Sequence, residues 1–406
     1  MINIVALLIP VFLLLVCIEW YVSSKKEDNK YNTGSTIMNM TIGAIDQVSS
    51  LFYFVVMYFV LNFVYTHFRI FDLEMTLSHW VLAFIAVDLL SYWYHRMSHR
   101  VNIFWAGHVT HHSSELYNFS IGFRLSLFQA VNRILFWTIL PIFGFSPIIL
   151  IIWLKVGGVY QFFLHTEYIS TLGFLEKFMI TPSLHRVHHG KNDIYIDKNY
   201  GATFSIWDKL FGTLQEETEP VVFGIKSPFE DNNPLSAIGH HYVYLWKTMK
   251  ASARWQDKIN IFLMPPEWKP KTVNVSEEQP KKNKVAITKH YKQYAFFQLT
   301  CCVIGMITLL VYKDFISLWE TVLCSSIMII SMTNAARIFN NNIPKRFSAQ
   351  ETTILLVELF LVIITLYFLP KVYFLAILAY LAFSLSVISW IPKPEVVKLS
   401  KIRKAA

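Results

Sequence analysis

Charged residues are scarce in this sequence: Asp, Glu, Lys and Arg make up 16% of its 406 residues, whereas 54% are hydrophobic. Soluble domains carry about 25% charged residues, so this scarcity excludes an ordinary soluble globular protein. The few charges lean basic, with 36 Lys and Arg against 27 Asp and Glu. A nucleic-acid-binding protein would combine such an excess with a polar composition, which this chain lacks. A membrane protein with basic cytoplasmic loops accounts for both observations.

Cysteine is scarce as well, and its placement excludes two classes of small domain. The four residues Cys17, Cys301, Cys302 and Cys324 lie in apolar runs and show no paired spacing. That pattern excludes a disulfide scaffold and a cysteine-based zinc module. We interpret the four side chains as buried thiols.

Long apolar runs predict a multi-pass membrane protein, since about 20 apolar residues cross a bilayer core. We expect spans at Ile2–Val22, Gln47–Tyr65, Ser78–Trp93, Leu127–Leu140, Ile148–Phe163, Tyr294–Tyr312, Phe315–Met332, Thr352–Leu369 and Val372–Ile391. The first run lacks a basic n-region and a small-residue cleavage site, which favours an anchor over a removed signal peptide. With the N-terminus outside, 31 of the 36 Lys and Arg residues fall in cytoplasmic segments.

The chain divides into two parts in the sequence. Residues 1–250 contain the clustered histidines, residues 251–290 form a polar linker with several prolines, and residues 291–406 carry four spans without a histidine. The predicted fold is therefore all-α: a cytoplasmic-side, histidine-rich di-metal helical domain followed by a C-terminal four-span bundle. The membrane would be a bacterial inner membrane or the endoplasmic reticulum.

Nine histidines carry the strongest functional signal. Eight stand in three boxes, His95/His99, His108/His111/His112 and His185/His188/His189, and His165 lies between the second and third. Residues three and four apart share one face of a helix, so each box directs its imidazoles at one region. Neutral imidazoles bind Fe, Zn, Cu or Ni. Nine donors exceed the needs of one ion and predict two metals with open positions.

Other interpretations of the histidines are weaker. A lone residue such as His67, His79 or His290 is typical of an interfacial or solvated side chain, and His240-His241 favours a structural role. Bis-histidine haem would not require adjacent doublets. A histidine-rich metal transporter or a metal-stabilised scaffold is the alternative of a different class. A transporter would place its ligands at mid-membrane in broken helices, whereas these boxes lie at the cytoplasmic ends of spans.

Three polar residues near the boxes are candidates for supporting the ligands. Asp88 precedes His95 by seven residues inside an apolar span, so we expect it to hydrogen-bond a ligating imidazole. Glu115 follows His112 by three residues and should share the ligand face. Gln161 precedes His165 by four and could hydrogen-bond the site or a bound water.

Several longer strings around the boxes resemble a known family. These are Trp105-Ala-Gly-His-Val-Thr-His-His-Ser-Ser-Glu115, Thr181-Pro-Ser-Leu-His-Arg-Val-His-His-Gly190, Ile196-Asp-Lys-Asn-Tyr200 and Ile206-Trp-Asp-Lys-Leu-Phe-Gly-Thr213. They are similar to the fatty acid hydroxylase/sterol desaturase superfamily, and more closely to its alkylglycerol monooxygenase branch.

The resemblance implies an oxygen-dependent di-iron membrane monooxygenase that cleaves glycerol ether lipids to a fatty aldehyde and a glycerol product. It implies the eight boxed histidines as iron ligands, with His165 as an additional one. It also implies molecular oxygen as co-substrate, an electron donor, and tetrahydrobiopterin as the reductant of animal members. Arg100 departs from those members, which carry an acidic residue there. A sterol or fatty-acyl desaturase or hydroxylase of the same superfamily is the alternative.

Overall fold

In the computed structural model, helices are the only regular secondary structure of the described part of the chain, which comprises residues 4–227, 233–271, 273, 288–339, 347–368 and 372–391. Within these residues the only extended pairing is two isolated bridges, Met179–Phe204 and Gly190–Phe223. The predicted all-α fold class is confirmed. Residues 272 and 274–287 of the predicted linker, including Lys281-Lys282-Asn283-Lys284, lie outside the described residues, as do Ile2 and Leu369 at the edges of predicted spans.

Contacts divide the chain into two compact units, one mainly Leu7–Gln279 and the other mainly Pro280–Ala406. The helices of the first unit are α1 (Ile4–Lys26), α2 (Thr33–Phe68), α3 (Leu77–Arg100), α4 (Asn102–His112), α5 (Leu127–Trp137), α6 (Ile139–Ile142), α7 (Pro147–Phe162), α8 (Pro182–His188), α9 (Ile206–Leu210), α10 (Pro234–Ala251) and α11 (Trp255–Leu263). Short 3-10 helices lie at Phe119–Phe123 and Gly173–Lys177.

Helix α2 begins 14 residues before the predicted span at Gln47, and the added part has a different role. Its polar side chains are buried: Asn39 donates to the hydroxyl of Ser120 and accepts a hydrogen bond from Arg124. Further along, Val55, Phe59 and Phe63 are exposed, as expected of side chains that face lipid. At 1.5 Å per residue, a 36-residue helix is about 54 Å long and exceeds the roughly 30 Å hydrocarbon core.

Helix α3 joins the membrane part of the first unit to the histidine boxes. Val87 and Tyr94 pack with Leu61 of α2, Trp137 of α5 and Leu150 of α7 in one buried cluster. The helix continues for seven residues beyond the predicted span and ends at Arg100, so its last turns carry His95 and His99. This packing fixes where the first box lies.

The described residues of the second unit include four long helices. They are α12 (Lys289–Tyr312), α13 (Leu318–Phe339), α14 (Phe347–Phe368) and α15 (Val372–Trp390). Glu351 of α14 accepts hydrogen bonds from Tyr294 of α12 and Asn334 of α13, so a buried carboxylate ties three helices together. The predicted four-span bundle and the domain bounds at 250 and 290 stay predictions.

Six helices of the described chain are long and apolar enough to cross a membrane. They lie in α1, α2, α3, α12, α13 and α14, whereas the apolar segments Leu127–Ile142, Pro147–Phe162 and Phe374–Trp390 are shorter. The four cysteines are free, but only Cys302 is fully buried and Cys17 is exposed. The buried-thiol interpretation is therefore wrong for Cys17.

Candidate metal centre

The nine histidines of the sequence pattern lie together in the first unit, where they form two groups of imidazoles. Group one contains His95, His99, His108, His112 and His188, and group two contains His111, His165, His185 and His189. Within each group the candidate ligand nitrogens all lie within 4.8 Å of one another. Among the described residues no cysteine or carboxylate joins either group.

The second and third histidine boxes have the same spacing, HxxHH, and each contributes histidines to both groups. Successive helical residues are turned by about 100°, so the first and fifth positions of a box share a face, while the adjacent doublet diverges. His108 and His112 accordingly contribute to group one and His111 to group two. In the third box, His185 and His189 contribute to group two and His188 to group one. Each doublet therefore spans both groups.

Neighbouring ring nitrogens are closely spaced. In group one, Nε2 of His108 lies 3.0 Å from Nε2 of His95 and 3.1 Å from Nε2 of His112. In group two, Nε2 of His165 lies 3.2 Å from Nε2 of His111 and 3.1 Å from Nε2 of His185. Such separations match neighbouring ligands on one ion, because metal–imidazole bonds are about 2.0–2.1 Å long.

Backbone carbonyls fix the protonation of three imidazoles. Nδ1 of His95 lies 2.9 Å from the carbonyl oxygen of Tyr200, and Nδ1 of His188 lies 2.9 Å from that of Lys198. Nδ1 of His165 lies 2.8 Å from that of Gln161. A carbonyl only accepts, so each Nδ1 carries the proton and each Nε2 directs a lone pair into its group. Converging lone pairs fit a metal cation between them, and Nε2 of His99 is buried there without a hydrogen-bond partner.

Among known protein families, residues 80–213 match the fatty acid hydroxylase family. This part of the chain is a fatty acid hydroxylase domain. It contains all nine histidines and confirms the superfamily predicted from the sequence strings. No solved structure matches the chain.

The similarity to several relatives supports the alkylglycerol monooxygenase-like branch predicted from the sequence. The chain is 36% identical to the alkylglycerol monooxygenase of Homo sapiens over 275 residues, which are 67% of this chain and 61% of that protein. Its identity to the Xenopus tropicalis alkylglycerol monooxygenase is 41% over 191 residues, 47% of this chain and 43% of that protein. The ornithine lipid hydroxylase OlsE of Rhizobium tropici is 30% identical over 145 residues, 34% of this chain and 43% of OlsE. The chain therefore spans less than two thirds of these relatives.

The loop at residues 197–200 of the fatty acid hydroxylase domain presents the two carbonyls that orient His95 and His188. Asp197 and Asn199 adopt left-handed backbone conformations, with φ of 60° and 52°. The amide of Asn199 donates to the carbonyls of Leu184 and Gln215 and accepts from the Gln215 N–H. Asp208 accepts hydrogen bonds from the backbone N–H groups of Tyr200 and Gly201. These contacts hold the Lys198 and Tyr200 carbonyls in place.

The predicted supporting role of Asp88 is wrong in its detail. Its carboxylate accepts hydrogen bonds from the N–H groups of Thr203 and Phe204 and from the indole of Trp207. These donors occupy both of its oxygens, so Asp88 anchors the 203–207 segment to α3 and does not hydrogen-bond an imidazole. Buried backbone N–H groups need such acceptors, which explains a carboxylate inside an apolar helix.

The other two predicted supporting residues have different outcomes. Glu115 is exposed, and its prediction on the ligand face is wrong because α4 ends at His112 and the chain turns away. The backbone carbonyl of Gln161 contacts Nδ1 of His165, and the predicted role of the Gln161 side chain stays a prediction. Neither residue of the pair His240-His241 belongs to a histidine group, and His241 contacts the amide oxygen of Asn102 at 2.7 Å.

Burial keeps the imidazoles neutral. It lowers the pKa of His165 and His188 from 6.5 to about 4. Burial also lowers the pKa of five further ligand candidates well below 6.5, namely His108, His111, His112, His185 and His189. Only neutral imidazole binds a metal, so the site is ready to accept cations at neutral pH.

These shifts predict how the metal-free protein responds to acid. Because the folded pKa of His165 and His188 lies below the unfolded value, the unfolded chain binds protons first as the pH falls. The two neutral imidazoles therefore contribute fully to the free energy of unfolding above pH 6.5. As the pH falls toward 4, the free energy of unfolding should decrease by roughly 3 kcal/mol for each residue. Thermal unfolding of the metal-free protein at several pH values between 7 and 4 measures this loss of stability. A melting temperature that does not change with pH would contradict the prediction.

A cavity opens on both groups of histidines and extends away from them between the helices. Its lining includes His95 and His108 of group one and His111, His165 and His185 of group two. Beyond the histidines it is lined largely by apolar residues of α3, α5 and α7, among them Phe84, Val87, Trp137, Trp153 and Leu154. A cavity of this composition suits the hydrocarbon chain of a lipid.

Proposed function

We propose that this protein is an oxygen-dependent membrane lipid monooxygenase that acts on glycerol ether lipids through two iron ions. The observation that carries the proposal is the division of nine histidines, seven buried and two half-buried, into groups of five and four beside one cavity with largely apolar walls. His95, His99, His108, His112 and His188 would hold one ion, and His111, His165, His185 and His189 the other. Both groups fit metal ions because their nitrogens are closely spaced, neutral and directed inward.

The similarity to proteins named alkylglycerol monooxygenase supports ether lipids as the substrate class. In the proposed reaction, the alkyl carbon next to the ether oxygen loses a hydrogen and gains a hydroxyl. One oxygen atom of O2 enters the lipid and the other becomes water, which requires two electrons and two protons from a donor. The resulting hemiacetal breaks its bond to the ether oxygen and gives a fatty aldehyde and glycerol.

The bound iron ions would supply oxygen activation, and the protein supplies position and dryness. The carbonyls of Tyr200, Lys198 and Gln161 keep three ligand rings in the correct tautomer and orientation. The cavity walls hold the alkyl chain of the lipid beside both groups of histidines and exclude water. An all-imidazole site brings no negative charge of its own, so the paired ions keep a high positive charge.

The reductant is a two-electron donor, and tetrahydrobiopterin is the first compound to test because the resemblance to animal members implies it. Arg100 replaces their acidic residue and forms ion pairs with Asp197 and with Glu267, the latter at 3.4 Å. This proposal includes two further predictions from the sequence. The domains comprise residues 1–250, 251–290 and 291–406, and the metal site lies on the cytoplasmic side of the membrane. The Lys and Arg asymmetry of the sequence supports the placement.

Acyl-lipid hydroxylation is the second candidate, supported by the match to an ornithine lipid hydroxylase. Incubation of iron-loaded protein with oxygen, tetrahydrobiopterin or dithionite-reduced ferredoxin, and defined ether, acyl and sterol lipids separates the two. We expect mass spectrometry to find a fatty aldehyde from 1-O-hexadecylglycerol. Hydroxylated acyl lipid without aldehyde would favour the second candidate, and no oxidised product from any lipid would overturn both.

A further inference from the structure

One wall of the cavity carries buried hydrogen-bonding atoms without partners. Gln129 is only 6% exposed, and its Oε1 has no hydrogen-bond partner. Nε of Arg133 is also buried without a partner. The two residues are four apart on α5 and line the same cavity, so both side chains are on one helix face. Unpaired buried polar atoms destabilise a fold and therefore point to a ligand that completes them.

This polar wall lies beside the histidines. The backbone N of Gln129 is 3.2 Å from the position that a Cβ on Gly107 would occupy, and Gly107 directly precedes His108. The hydroxyl of Tyr94, which directly precedes His95, donates to the backbone carbonyl of Gln129. Gln129 also lines the same cavity as His95 and His108 of group one.

The remaining walls are largely apolar and leave open space beside two glycines. Gly157 and Gly158 of α7 line the cavity, and a Cβ at either position would meet no atom within 4 Å. Trp153 and Leu154, one turn earlier on α7, continue the apolar surface. The cavity thus combines a polar wall near the histidines with an apolar path beyond them.

Charge indicates which polar group fits. Arg133 and the buried Asp46 are within electrostatic range of each other, so this side of the cavity carries an acidic group as well as a cation. Arg133 Nε–H donates and Gln129 Oε1 accepts, and a hydroxyl group can satisfy both atoms at once. A phosphate would offer acceptors only and would bring its negative charge near Asp46.

We propose that Gln129 and Arg133 form a subsite for an uncharged hydroxyl of the lipid headgroup, with the alkyl chain passing Gly157 and Gly158. The inference rests on the proposed function, since it names the headgroup class for that site. It predicts that lipids with free glycerol hydroxyls bind better than the same lipids with those hydroxyls methylated.

Binding without turnover tests the subsite. Trp137 and Trp153 line the cavity, so tryptophan fluorescence of the metal-loaded protein, without reductant, reports lipid binding. The probes are 1-O-hexadecylglycerol and its 2,3-di-O-methyl derivative. We expect the free glycerol lipid to bind about 10-fold more tightly, because the hydroxyl completes a buried polar pair. We expect Gln129→Met, which keeps the shape and removes the acceptor, to bring the ratio close to one.

Three further variants distinguish loss of the acceptor atom from other effects of a substitution. Gln129→Glu keeps an acceptor oxygen and should retain a preference for the free hydroxyls. Gln47→Met changes a half-buried glutamine outside the cavity lining and should leave the ratio unchanged. Gly157→Leu narrows the chain path and should weaken both lipids equally.

A wild-type ratio near one, or an unchanged ratio in Gln129→Met, would overturn the subsite. If Gln129→Met loses its metal or aggregates, the wild-type ratio together with that of Gln129→Glu decides instead. Turnover is measured separately. Discrimination without any oxidised lipid would contradict the proposed function and leave the subsite standing, whereas aldehyde formation without discrimination would do the reverse.

Discussion

Replacing His111 by alanine should abolish oxygen-dependent lipid turnover, with a loss of at least about 1,000-fold. This exceeds the 10–100-fold effects typical of residues that only support a ligand, because the change removes one of the four imidazoles of group two. His111 is buried, and its Nε2 lies 3.2 Å from that of His165. Iron content should fall from about two to about one per chain, since group one keeps all its histidines.

The control is His67→Ala, which removes an exposed histidine of α2 whose ring contacts the Phe63 carbonyl. It should keep both activity and iron. Iron analysis and aldehyde production on the two variants, after both are shown to elute as folded protein, complete the comparison. Wild-type turnover in His111→Ala would rule out group two as part of the metal centre.

Replacing Asn199 by alanine should weaken both the fold and group one, although Asn199 touches no histidine of group one. The side chain is fully buried and makes three hydrogen bonds, to Leu184 and to both backbone groups of Gln215. Losing these bonds, and placing alanine at φ 52°, should lower the free energy of unfolding by about 3–5 kcal/mol. The carbonyls of Lys198 and Tyr200 would lose their support, and metal affinity should fall by about 10–100-fold.

Asn29 offers a matched control, because it also has a left-handed backbone, with φ 57°, but is exposed. Asn29→Ala should lower the free energy of unfolding by about 1 kcal/mol and leave the metal affinity unchanged. Thermal unfolding and metal titration of both variants measure the difference. Equal effects of the two substitutions would mean that backbone conformation alone, and not the buried amide, supports the loop.

The sequence predicts the helices well where apolar residues run without interruption, as in α3 and α12. It misses the first part of α2, because Thr36, Asn39 and Thr41 interrupt the hydropathy although all three are buried. Their burial depends on long-range partners such as Arg124, which hydropathy cannot show. Local pattern therefore finds membrane-spanning segments more reliably than helices that extend into the polar domain.

The metal centre shows the same limit. The spacing of the boxes predicts that the imidazoles converge, but not that His188 contributes to a different group from His185 and His189. The hydrogen bonds that orient the histidine rings are harder to predict from the sequence, since their acceptors are backbone carbonyls that any residue type could provide. The one local signal was the Asp-Lys-Asn-Tyr string at 197–200, whose Asp and Asn tolerate a left-handed backbone.

Isotope labelling of the product tests the central claim most directly. Iron-loaded protein is incubated with 1-O-hexadecylglycerol, reductant and 18O2, and the aldehyde is reduced at once to the alcohol to prevent exchange with water. If oxygen is inserted next to the ether bond, the C16 alcohol carries one 18O atom and the glycerol carries none. Label-free alcohol, or cleavage that continues without oxygen, would contradict a monooxygenase at this histidine centre.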